Sequence, residues 1–170
     1  MDLKKTLLQG HSAVLTRKIV DYVGSNKTRF KVLVELFLAG PYRITQRAAW
    51  PLSYCVERYP ELIKPHFKAL LTMLKQQHTH VAARRNILRL LQFVEIPARY
   101  RGQIVTLCFD LLQDRKEPVA VRVFGMTVLA NLVVYEPGLA GELKIVIEDH
   151  LPYGSPAFVS RAKKVLKMIG

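Results

Sequence analysis

Two independent series of residues recur along the chain at nearly the same interval, and that recurrence limits what the chain can fold into more than any other feature. An apolar residue stands three positions before an arginine at Ile44 and Arg47, Val81 and Arg84, Val119 and Arg122, and Phe158 and Arg161, in steps of 37, 38 and 39 residues. Pro60, Pro97 and Pro137 follow at steps of 37 and 40. A fixed period of this length marks stacked supersecondary units, each too small to bury its own apolar surface, so that neighbours supply a continuous core.

Between the markers the chain is apolar at helical spacing and no strand pattern appears. Leu62, Ile63, Phe67, Leu70, Leu71 and Leu74 recur every three or four residues while Lys64, Lys68 and Lys75 fall off that stripe, which predicts one amphipathic helix. Ile104, Val105, Leu107, Cys108, Leu111 and Leu112 repeat the behaviour, as do Leu143, Ile145, Val146 and Ile147 in a shorter piece. About ten helices fit the chain. Each unit reads as a first helix, a polar loop, a second helix opening on the apolar-x-x-Arg signature, and a proline turn. The expected loops are 39–42, 76–79, 114–117 and 153–156.

In these residues the sequence resembles the HEAT-repeat family, whose units carry a Val-Arg pair early in the second helix followed by small and then leucine positions. Val121 and Arg122, then Gly125, Leu129 and Leu132, preceded by Glu117 and Pro118, give the best match. Arg84, Ile87, Leu91 and Val94 follow the pattern too, while Arg47 is followed by Trp50 and Pro51, and Arg161 by Lys163 and Lys164. The resemblance implies an all-α, right-handed α-solenoid of about four helical hairpins at 27–59, 60–96, 97–136 and 137–170, within one domain spanning 1–170. Residues 1–26 are expected to be N-terminal capping helices or a degenerate repeat. Were the periodicity fortuitous, a globular helical bundle would be the fallback. The resemblance further implies a binding surface lined by second helices on the concave side, and an arginine column that bonds within or between units.

The charge is large and uneven. Of 170 residues, 26 are Lys or Arg and 13 are Asp or Glu, a net +13. Eighteen of those cations and six of the acids fall in residues 1–101, and from Leu62 to Val94 there is no acid at all. Arg85, Arg89 and Gln92 form an exposed stripe on one second helix. Clustered cations of this kind neutralise phosphates or meet an acidic protein surface. Arg43, Arg47, Lys64, Lys68, Arg84, Arg85 and Arg89 are therefore the candidate contacts for an acidic protein or a nucleic-acid backbone. Trp50, the only tryptophan, precedes Pro51, where a kink is expected, and Tyr54 lies one turn on. On a basic face these two rings make a base-stacking platform.

One enzymatic branch of HEAT-like folds, the alkylpurine DNA glycosylases, needs a carboxylate beside aromatic rings to stabilise a cationic sugar. Glu57, two turns after Trp50, is the residue that alternative would require; Asp110 and Asp114 lie on a first helix. The sequence favours a non-enzymatic adaptor. His66, His78 and His80 lack a carboxylate or cysteine companion, so no metal is expected. No GxxxxGK[ST], GxSxG, HExxH or SxxK motif occurs, and no cofactor is expected. Cys55 and Cys108 lie in no ligand spacing and read as reduced thiols. Neither a signal-peptide core nor a membrane-length apolar run is present, which leads to the expectation of a cytoplasmic protein that does not enter membranes. The last helix, 158–168, is read as an end cap or a dimer contact, so both monomer and homodimer stay open.

Overall fold

Local capping chemistry decides where the helices begin. The structure is a computed structural model that describes residues 1–76 and 78–170; Gln77, in the second expected loop, lies outside them. Among the described residues ten α-helices occur and no strand: α1 (Leu3–Gln9), α2 (Ala13–Val23), α3 (Lys27–Ala39), α4 (Tyr42–Arg58), α5 (Phe67–Lys75), α6 (Val81–Leu91), α7 (Ala98–Gln113), α8 (Val119–Leu132), α9 (Leu139–His150) and α10 (Pro156–Ile169). Asp2, Ser12 and Asn26 cap α1, α2 and α3 by accepting the backbone N–H of Lys5, Leu15 and Arg29 at 3.0, 3.2 and 2.9 Å. Pro41, Pro97 and Pro118 stand at the caps of α4, α7 and α8, where a missing N–H costs nothing. The α3–α4 turn is tight enough that a Cβ on Gly40 would strike the Leu36 carbonyl and the Ile44 side chain.

One expected helix is two elements. The stripe from Leu62 to Leu74 is a 3₁₀ segment over Pro60–His66 that passes into α5 at Phe67. Pro65 is the cause, since it cannot donate an α-helical hydrogen bond and its ring crowds the preceding turn; the tighter helix avoids the clash. Pro51, by contrast, is accommodated inside α4, which runs without a break in its helical assignment.

Tertiary packing groups the chain into two compact units, Met1–Glu95 and Ile96–Gly170. In the first unit α4 is the central helix, packed against α1, α2, α3 and α6, and it buries Ile44, Ala48, Ala49, Leu52, Cys55 and Val56. In the second, α8 packs against α7, α9 and α10, burying residues on nearly every side. Gly125 of α8 faces the Cys108 backbone of α7, where a Cβ would come to 3.6 Å of the carbonyl, an ordinary van der Waals contact.

Arg122, Arg47 and Arg161 of the periodic series bond inside the fold. The buried Arg122 donates from Nε to the Leu112 carbonyl at 3.0 Å, near the end of α7, and from Nη2 to His150 Nδ1 at 2.9 Å. Its guanidinium also lies 4.6 Å from the centre of the Phe158 ring. Arg47 donates to the Leu7 and Leu8 carbonyls at 2.9 and 3.0 Å, in the last turn of α1, and Arg161 donates to Thr127 Oγ1 at 2.5 Å. A cation at the carbonyl end of a helix satisfies orphan acceptors and opposes the negative end of the dipole.

His150 can accept from Arg122 only with Nδ1 unprotonated. Burial, then the neighbouring cations Arg122 and Arg115, hold its pKa below the ordinary 6.5, with Asp149 opposing; burial similarly lowers His66, whose ring lies tilted 5.7 Å from that of Phe30. The folded protein therefore binds fewer protons than the unfolded chain just below that value. Stability is complete above about pH 6.5 and falls as pH drops through the lowered folded values. Thermal unfolding followed from about pH 7 to about pH 5 should show the midpoint falling, and His150→Gln, whose amide oxygen accepts from Arg122 at either pH, should flatten that fall. Arg122→Leu leaves the Leu112 carbonyl and His150 without their donor and should cost about 3 kcal/mol in urea unfolding, against about 1 kcal/mol for Arg47→Leu at its half-buried site.

Candidate functional site

The α2, α4 and α6 helices lie side by side in the first unit, with α4 in contact with both neighbours. Apolar positions of α4 face inward, which leaves Arg43, Gln46, Tyr54 and Glu57 exposed and Trp50 half-buried. Trp50 does not fill the core. Its ring meets His11 of the α1–α2 loop at 5.2 Å and Tyr54 at 6.1 Å between centroids, and the Arg89 guanidinium of α6 lies 5.4 Å from the centre of the Tyr54 ring. Four planar groups from three segments thus follow one another across a single face.

The rings open into a groove of about 580 Å³ between α2 and α4, lined by Thr16, Arg17 and Asp21 on one wall and Trp50, Tyr54 and Glu57 on the other. Arg58 bonds Asp21 at 3.2 Å across the groove; both side chains are more than half exposed, so the pair contributes at most about 1 kcal/mol. Sequence reasoning misses the α2 wall because that segment carries neither periodic marker. The signal that could have found it is the Arg17 and Asp21 spacing of one helical turn, once α2 is placed beside α4.

The seven candidate cations do not converge on one spot. Arg85 and Arg89 lie on the exposed side of α6, and Arg43 is exposed near the start of α4. Arg47 and Arg84 are half-buried, and Arg47 is held by the α1 carbonyls. Lys68 is exposed on α5, and Lys64 lines a different groove of about 450 Å³ with Lys27, Lys31 and His66, between α3 and the 3₁₀ segment. The structure therefore separates Lys64 from the aromatic face, although both fall in one acid-free stretch of sequence.

Charge divides unequally between the units. Residues 1–95 carry sixteen Lys and Arg against six Asp and Glu, net +10, and residues 96–170 carry ten against seven, net +3. The arginines of the second unit are engaged within it: Arg99 with Tyr100, Arg101 with Tyr135, Arg115 with Tyr153, besides Arg122 and Arg161. Among the described residues Arg17, Arg43 and Arg85 of the first unit make no hydrogen bond, ion pair or ring contact. Their charge is available to an incoming group.

Other chemistry finds little to stand on among the described residues. No group of three or more His, Cys, Asp or Glu side chains gathers where a metal could be held. The His80 Nδ1 accepts the Ala82 N–H at 3.3 Å as the cap of α6, and its ring packs on Tyr42 at 4.0 Å. Cys55 and Cys108 are buried free thiols whose pKa burial pushes up to about 12, far from the thiolate form a nucleophile needs. No helix of the described residues is long and apolar enough to cross a membrane.

No curated protein and no solved structure matches the chain. A family model described as a HEAT repeat domain matches residues 3–169, a span that holds all ten α-helices. Such repeats build helical scaffolds that typically mediate protein interactions. The paired helices, the arginines bonded at helix ends and a match over nearly the whole length place this chain in the HEAT-repeat family.

Proposed function

We propose that the chain is a non-enzymatic HEAT-repeat adaptor that binds an acidic macromolecule, a protein segment or a nucleic-acid backbone, on the α2–α4–α6 face of its first unit. The observation that carries this reading is the continuous run from Trp50 through Tyr54 to Arg89, set in a unit of net +10 beside cations without an internal partner. An aromatic left half in water and a guanidinium stacked on its neighbour are arranged for a ligand, since packing alone would draw the indole inward. Two free thiols, both buried, support a reducing cytoplasmic setting.

The charge on α6 is the part of this face easiest to reverse without touching the core, because Arg85 is exposed and Arg89 half-exposed. The double variant Arg85→Glu, Arg89→Glu should lose retention on an immobilised polyanion such as heparin while its far-ultraviolet circular dichroism stays that of the parent. Retention equal to the parent's would show that the binding face lies elsewhere.

A second reading, a DNA-repair enzyme of the alkylpurine glycosylase type, is favoured by one observation: Glu57 lines the same groove as Trp50 and Tyr54. It ranks second because Glu57 is exposed, and a carboxylate in contact with water stabilises a developing cation far less than one held in a dry site. Under the adaptor reading, alkylated duplex DNA incubated with the protein releases no free methylated base. Release that disappears in Glu57→Gln would establish the enzyme instead.

A further inference from the structure

We propose that the acidic partner of the α2–α4–α6 face is a single-stranded segment of nucleic acid, with bases laid on Trp50 and Tyr54 and phosphates on Arg85, Arg89 and the cations that flank them. The inference rests on the binding face assigned above and goes further by choosing between the two kinds of partner that its charge admits.

Three observations make the choice. The first is the order of the planar groups: His11, Trp50, Tyr54 and the Arg89 guanidinium succeed one another at 5.2, 6.1 and 5.4 Å. Flat, partly exposed rings in a row offer π faces, and every base has a matching face, whereas an acidic peptide brings carboxylates that gain nothing from them. The second is the placement of the acids. Asp21 and Glu57 line the groove next to the rings against Arg17 and Arg58, with Arg58 bonded to Asp21, so the groove carries no surplus positive charge to draw a phosphate or an acidic side chain. A base edge carries N–H donors that those carboxylates accept. The groove thus suits the base, and the phosphate belongs on the α6 side, where Arg85 and Arg89 stand with no acid between Leu62 and Val94. The third is strand state. In a duplex the base faces are covered by their neighbours, so only an unpaired strand can lay bases on Trp50 and Tyr54.

Because Trp50 is the only tryptophan, its emission reports this site alone. The whole protein is titrated with a short mixed-sequence single strand, as DNA and as RNA, with the same strand annealed to its complement, and with polyglutamate. The single strands should quench Trp50 emission and bind at least tenfold more tightly than the duplex. Their affinity should fall by more than tenfold as salt rises from about 50 to about 200 mM. Tyr54→Ala, at an exposed position, should weaken single-strand binding about tenfold. Unchanged Trp50 emission on adding the single strand, equal affinity for single strand and duplex, or a Tyr54→Ala variant that binds the strand like the parent would each overturn the proposal. If polyglutamate binds while the single strands fail, the adaptor reading stands with a protein partner; if neither binds, that reading falls as well.

Discussion

A helix packed by neighbours on several sides has almost no flank left for polar groups, and α8 meets that condition. Its buried positions include Val121, Val123, Met126, Val128, Leu129 and Leu132, with Gly125 facing the α7 backbone. The one cation admitted to this setting, Arg122, must satisfy its N–H groups without water, because leaving them unpaired would cost as much as several apolar contacts return. It does so on the Leu112 carbonyl and on His150, and in bonding them it fixes the end of α7 and the end of α9 against α8. Arg47 performs the same service for α1 from α4, in a less buried place. The repeat therefore depends on the arginine column, in the bonding role that the family resemblance implies for it.

That dependence explains how binding capacity is distributed. Where arginines close helix ends or lie on neighbouring rings, as most do in the second unit, their N–H groups or flat faces are already engaged within the fold. In the first unit the helix-closing role is taken by Arg47, which leaves Arg17, Arg43 and Arg85 with no internal work among the described residues. A cation that is not needed for folding can be spent on a partner, and its contribution is then sensitive to salt in a way that Arg122's is not.

Much of this was legible in the sequence because periodicity reports burial directly. Val81 and Val119 open α6 and α8, and Ile44 and Phe158 sit in the first turns of α4 and α10, so the signature marks the entry of each second helix. The misses have local physical causes. The stripe from Leu62 to Leu74 has helical spacing throughout, and spacing is blind to the missing N–H of Pro65 that turns its first half into a 3₁₀ segment. Lys64 and Arg89 share an acid-free stretch, yet a helical hairpin sends its two helices to different layers, so closeness in sequence does not become one patch. His150 carries no marker at all; only the fold brings it to Arg122 from 28 residues away. The α2 wall of the groove was hidden for a similar reason, since its Arg17 and Asp21 acquire meaning only beside Trp50 and Glu57.

The aromatic face follows from what α4 lacks as much as from what it contains. A second helix of the α8 kind carries apolar or small residues on nearly every side, and such a helix can only be core. In α4 the positions after the arginine depart from that pattern, with Trp50, Tyr54 and Glu57 at spacings of four and three along one side. Residues so spaced share a face, and the face they share is the one that inward packing of Ala48, Ala49, Leu52, Cys55 and Val56 leaves outside. A large ring placed there cannot be explained by core volume, and its polar companions cannot be explained by solubility alone, since Lys or Glu would serve better than Trp or Tyr. The deviation from the repeat pattern is thus where the scaffold stops being generic, and it coincides with a groove that combines rings, cations and carboxylates.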